Sequence, residues 1–282
     1  MTLKSIITSS FIFSALALAS QAGAENILNP DSRHAQYLTY GLFFEPQSML
    51  ITKSGGNAWA SVGGYVPLVE FRGLPYTPQL VLHATANCSY RLVTEWSQSS
   101  ILTKFETVDA RVGLSYDMKI RDDYRASITW THLSGHISDD VIDKTLIGPD
   151  VGDEVFDFRF IRDYHKTWRV GAGFRPTARS HPKMETLGFE EFAEWYPYQT
   201  AADSHHLKPF IAAGLEQYGN NSLELTAHLQ AGYTTADHFS EKDDKALRFV
   251  IGAYSGADPR LKYLQYRNMT QHYIYGGIVV DL

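Results

Sequence analysis

The chain has 282 residues, 44% apolar and 20% charged, with 25 basic against 31 acidic side chains and a net charge of -6. That balance excludes a disordered or collagen-like chain, and it leaves no basic surplus for nucleic acid, so no nucleic-acid partner is expected. A mean hydropathy of -0.23 and the lack of a long apolar run beyond the first two dozen positions exclude a bundle of membrane helices. A β-barrel passes the same test, because strands that alternate apolar and polar residues sit in lipid at the average hydropathy of a soluble protein.

The first 24 residues read as an export signal. Lys4 supplies a positive start, residues 6–19 an apolar stretch, and Ala22-Gly23-Ala24 a small-x-small cleavage site, so the mature domain is expected over residues 25–282. The single cysteine, Cys88, lies far from any lipidation position and has no partner for an intrachain disulfide.

From about residue 37 the chain runs in segments of roughly ten residues with period two, separated by turn chemistry. Strands are expected near residues 37–44, 57–71, 79–95, 106–119, 123–135, 154–164, 167–178, 184–197, 207–218, 222–233, 246–256 and 270–281. In the clearest, Val108, Ala110, Val112, Leu114, Tyr116 and Met118 alternate with Asp109, Arg111, Gly113, Ser115 and Asp117. The eighth segment is less regular, for Glu191 falls on its apolar parity.

A secreted sandwich would turn the apolar parity to a core, and an outer-membrane barrel would turn it to lipid. Two features favour the barrel. The polar parity carries Asp109, Arg111, Asp117, Arg125, Asp157, Arg159, Asp163, Arg169 and Arg175, as in a lumen filled by ion pairs. Aromatic residues near segment ends (Tyr124, Trp130, Tyr164, Trp168, Trp195, Tyr196, Tyr233, Tyr254, Tyr273 and Tyr275) suit interfacial girdles. The expectation is therefore all-β, an antiparallel transmembrane barrel of about twelve strands in the outer membrane. An even count returns both ends to the periplasm, with the tight turns at residues 121–123 and 165–167 on that side. A narrow lumen crossed by salt bridges should conduct little.

The stretch from Thr131 to Asp140, preceded by Ala110-Arg111-Val112-Gly113-Leu114 and followed by Trp168-Arg169-Val170-Gly171-Ala172-Gly173 and Tyr254-Ser255-Gly256, resembles an uncharacterised family of bacterial outer-membrane barrels, as does the entry segment from Asn29 to Arg33. The resemblance implies an address in the outer membrane and brings no activity.

On the fifth segment Tyr124, Ala126, Ile128 and Trp130 share a parity that continues to His132, Ser134 and His136. Histidine and serine two apart on one strand project side by side, here on the outer wall near its external rim. Lipid-ester hydrolysis would use Ser134 as nucleophile, His132 as base and Glu154 on the next strand as the orienting acid, with Asp140 and Asp153 as loop alternatives. The His-x-Ser arrangement is similar to outer-membrane phospholipase A and the outer-membrane lipid A deacylase. That similarity implies a phospholipid or lipopolysaccharide substrate; calcium enters only under this reading, and no other cofactor is expected. Only His132 and Ser134 match, and Gly135 stands where the phospholipase has asparagine. A β-bulge would instead turn the three residues to a solvated rim or lumen. Metal binding by His132, His136, Asp139 and Asp140 matches no defined ligand spacing. The first expectation for function is a non-catalytic barrel serving envelope structure, surface interaction or narrow transport, in contact with the lipid of the outer membrane; the hydrolase is the alternative.

Overall fold

The structure, a computed structural model, describes residues 27–28, 47–72, 74–95, 100–137, 151–181, 187–197, 207–218, 224–235, 246–257 and 270–281. The strands are β1 (Ile27–Leu28), β2 (Ser48–Lys53), β3 (Asn57–Glu70), β4 (Gln79–Glu95), β5 (Ser100–Arg121), β6 (Tyr124–Ile137), β7 (Val151–Tyr164), β8 (Trp168–His181), β9 (Leu187–Trp195), β10 (Lys208–Tyr218), β11 (Glu224–Thr234), β12 (Ala246–Ala257) and β13 (Thr270–Asp281). Strands β2 to β13 pair antiparallel in chain order, β13 pairs with β2, and the twelve close into a barrel. Closure removes sheet edges, which hydrocarbon does not tolerate.

Eleven of the twelve barrel strands lie on expected segments. The remaining expected strand, residues 37–44, lies outside the described residues, and the first barrel strand is Ser48–Lys53. It is short, pairing with β3 only over residues 57–61, while β1 takes the far end of β3 through Ile27↔Glu70 and Leu28↔Val69. At the junction the Ser48 hydroxyl continues the ladder, donating to the Gly63 carbonyl (3.1 Å) and accepting from the Gly63 amide (3.0 Å).

β2 begins and β13 ends at the same end of the barrel, which also carries the tight turns 122–123 and 165–167. His165 and Lys166 both take positive φ (52° and 53°), and the Thr167 amide donates to the Tyr164 carbonyl at 3.0 Å. That is the mirror-image turn whose twist matches a hairpin.

Side chains sort by parity as a membrane barrel requires. Leu50, Val62, Phe160, Leu229, Ile251 and Ile274 are each more than half exposed on the outer wall, whereas Asp117, Arg125, Arg159, Asp163, Arg169, Glu190, Glu194, Arg248 and Asp281 are buried within. A water-filled pore would leave such inward charges wet, so the lumen at their levels is packed.

The interior has two zones. Along β6 to β10 it is ionic. Arg169 donates to Asp163 at 2.8 Å, Arg125 bonds the same carboxylate, and Arg159 and Arg175 both hold Asp157 (3.2 Å each) and Glu190 (2.5 and 2.8 Å). Around β2, β3, β10, β12 and β13 it is an apolar and aromatic plug containing Ile51, Trp59, Phe210, Val250, Tyr254, Tyr273 and Tyr275, closed at one end by the Arg248–Asp281 pair at 2.8 Å. Small residues make room for these inward groups: a Cβ on Gly171 would strike the Phe192 ring, and one on Gly252 the ring of Tyr275.

Parity also corrects the expected girdles. Trp168 and Tyr233 are exposed on the outer wall, and Trp168 stacks on Trp195 at 6.0 Å. Tyr196, Tyr254, Tyr273 and Tyr275, expected with them, are instead buried in the lumen. They lie near strand ends but on the inward parity, and the face, not the height, decides what a ring meets.

Removing one member of a buried ion pair leaves the other uncompensated. Arg169→Met is therefore expected to lower unfolding stability by about 3–5 kcal/mol, while Arg162→Met, at a half-exposed pair with Asp123 (3.8 Å), changes it by less than about 1 kcal/mol. Urea titration of the lipid-reconstituted barrel measures both; equal effects would contradict a sealed ionic interior.

Candidate functional site

β6 runs from Tyr124 to Ile137 without a register shift of its own: it stays in step with β7 from Tyr124 to Gly135, and the irregularity of β5 opposite it lies at Lys119/Arg121, at the other end. Thr131 points into the lumen, where its hydroxyl lies 3.1 Å from Nε2 of the buried His83. His132 and Ser134 consequently share the outward parity of Ile128 and Trp130. The bulge that would have turned them is instead found between β7 and β8, at Glu154/Val155.

The register places His132 between Val112 on β5 and Glu154 on β7, and Ser134 between Ala110 and Gly152. Glu154 faces Arg179 on β8, with their charged atoms 4.0 Å apart, and Gly152 faces the exposed His181. The three residues singled out from sequence thus occupy one patch of outer wall, widened by His136, Arg179 and His181. Among the described residues no hydrogen bond joins His132, Ser134 and Glu154 to one another, and the acid's ion pair is with Arg179. Asp140 lies outside the described residues.

Height explains why polar groups gather here. From Tyr124 to His132 is eight residues, about 26 Å along a strand and about 20 Å of height at a typical tilt of ~40°. That is close to the ~25 Å apolar band of an outer-membrane barrel. At the lower edge Arg162 stacks on Tyr124 (4.7 Å) and Tyr164 (4.2 Å), an amphipathic belt at one interface. His132 and its neighbours sit at the other, where water and headgroups begin.

A second polar pair at that upper edge was not anticipated. Ser255 on β12 and His272 on β13 face each other directly, both exposed, with the Ser255 hydroxyl 2.9 Å from Nδ1 of His272. They are 17 positions apart in sequence, and only the register of β12 against β13 brings them together. Beside them Gly256 takes a positive φ of 152° that a side chain rarely adopts, and a Cβ there would collide with Thr226.

No protein-family model and no curated protein matches the sequence. By fold the chain is similar to the outer membrane phospholipase A from Escherichia coli, at a TM-score of 0.55 and 12% identity over 88% of this chain and 94% of that one. It is also similar to the KdgM porin (TM-score 0.47, 10% identity, 84% and 98% of the two chains) and to the β-domain of the Bordetella autotransporter BrkA (TM-score 0.37, 9% identity, 84% and 97%). The likeness to the phospholipase, at 12% identity, shows the fold and nothing of the chemistry. Closed twelve-strand topology, an apolar outer wall and the fold shared with the outer membrane phospholipase A together identify the protein as a β-barrel of the outer membrane.

Proposed function

We propose that this barrel is non-catalytic and works through its outer wall and external rim, in envelope structure or surface interaction, with its lumen sealed to free diffusion. The observation that carries the reading is burial of the inward charges: Arg169, Glu194 and Asp117 have no measurable exposure and Arg248 and Asp281 have 1%. A general diffusion pore needs water along its charged lining. Planar-bilayer recording of the purified chain is expected to show no steady current, and liposomes carrying it should not swell in small sugars. The double variant Arg159→Ala/Arg175→Ala, which empties part of the ionic zone, is expected to raise leakage. A stable ohmic channel in the wild type would overturn the sealed lumen.

A second reading is ester hydrolysis of an outer-leaflet lipid, phospholipid or lipopolysaccharide, by Ser134 with His132 as base and Glu154 as orienting acid. What favours it is the unbroken outward parity of β6, which His132 and Ser134 share, with Glu154 of β7 directly opposite His132. Catalysis there would require His132 to turn toward Ser134 and Glu154 to exchange Arg179 for the imidazole. Under this reading wild-type protein releases fatty acid from mixed micelles, with or without calcium, and Ser134→Ala lowers the rate at least ~1,000-fold while the barrel stays folded. No release from the wild type across a calcium series removes it.

A further inference from the structure

Among the described residues, the outer wall carries one charged residue where hydrocarbon should be. Glu191 on β9 is exposed on the apolar parity, opposite Ala172 of β8 and Leu215 of β10. Its depth follows from the register. A line of directly paired residues crosses the wall from Met118 near the lower end of β5, through Ala126, Phe160 and Ala172, to Glu191, and on through Leu215 and Ala227 to the Ser255–His272 pair at the upper rim. Strands tilt, so each step along that line climbs about 3 Å. Glu191 lies halfway. The stacked Trp168–Trp195 pair marks the lower belt four residues down the same strand.

A carboxyl group at that depth is a functional signal, because lipid tails neither hydrate it nor hydrogen-bond to it. Nothing on the chain's own outer wall serves it: among the described residues the nearest outward cations are Arg162 at the lower belt and Arg179 at the upper rim. The ground around it is low. Ala193 and Ala213 pair directly beside Ala172, forming a floor of small side chains, and Phe174 and Phe189 rise on one flank. Small residues around a polar group are what membrane segments use to approach closely and bond across the contact.

We infer that this patch is a lateral self-association site, in which a second copy of the chain docks about a two-fold axis and the two Glu191 carboxyl groups hydrogen-bond to each other. A two-fold contact presents the same patch twice, and a carboxyl pair that shares protons both donates and accepts, so the site completes itself without a cation. A head-to-tail contact would need an outward cation at the same depth. The association goes beyond a sealed lumen and is independent of it, since it involves only the outer wall.

The test is the oligomeric state of the mature chain in outer-membrane preparations, read by disulfide cross-linking at Ala193→Cys in a Cys88→Ser background. Heat-modifiable gel mobility confirms folding of every variant. The expected result is a cross-linked species at twice the chain mass. Glu191→Leu and, separately, Ala213→Trp should each lower its yield at least ~10-fold, and Glu191→Gln should preserve it, because an amide also donates and accepts. Absence of the dimer, a dimer indifferent to Glu191→Leu and Ala213→Trp, or cross-linking only to a species of another mass would overturn the site. Loss in Glu191→Gln as well as Glu191→Leu would point to a bound cation and overturn the paired carboxyls.

Discussion

Hydrocarbon offers no hydrogen bonds, and every other feature of this molecule follows from that. Each backbone amide and carbonyl inside the bilayer must find its partner within the sheet, which the chain achieves by pairing β13 back onto β2 and sealing the short β2 with β1 and the Ser48 hydroxyl. Once the wall is closed, period-two geometry leaves each residue two destinations, lipid or lumen. The apolar residues take the first and the charged residues the second.

What fills the lumen then decides what the barrel can do. Twelve strands enclose more space than backbone alone can fill, and here it is taken by two different materials. The arginine–carboxylate lattice along β6 to β10 and the aromatic plug around β2, β12 and β13 leave most of the inward charges dry. Such a lattice holds the barrel's shape, since each arginine shares its carboxylates with another, and it stands where a solute would have to pass. On the outside, polar groups begin together at the upper edge of the apolar band, and among the described residues Glu191 alone interrupts that band with a charge.

Much of this is legible in the sequence because period two and turn chemistry are local signals. The lumen charges from Asp109 to Arg175 fall inward as the alternation indicates, and the outward parity of His132, Ser134 and Glu154 is readable by counting along one strand. β2 escapes because its pattern is inverted: Met49 and Ile51 face the plug, so the strand lacks the greasy-outside, polar-inside signature of its neighbours. Tyr254, Tyr273 and Tyr275 mislead for a related reason, since height along a strand suggests a girdle while parity sends them indoors. The contact of Ser255 with His272, and the depth of Glu191, depend on register between strands. Register is set across loops and around the whole barrel, so no stretch of sequence displays it.

The membrane barrel rests on the direction of the alternation, and adjacent positions on one strand test it. Spin labels placed singly at Leu229 and Gln230 on β11, with Cys88 replaced by serine, report contact with lipid-dissolved oxygen in reconstituted liposomes. Leu229 is 52% exposed and Gln230 is 5% exposed, so the label at 229 should collide freely with oxygen and the label at 230 should be shielded. The reverse order, or equal access to a water-soluble nickel reagent at 229, would place the apolar face inside and contradict the membrane barrel.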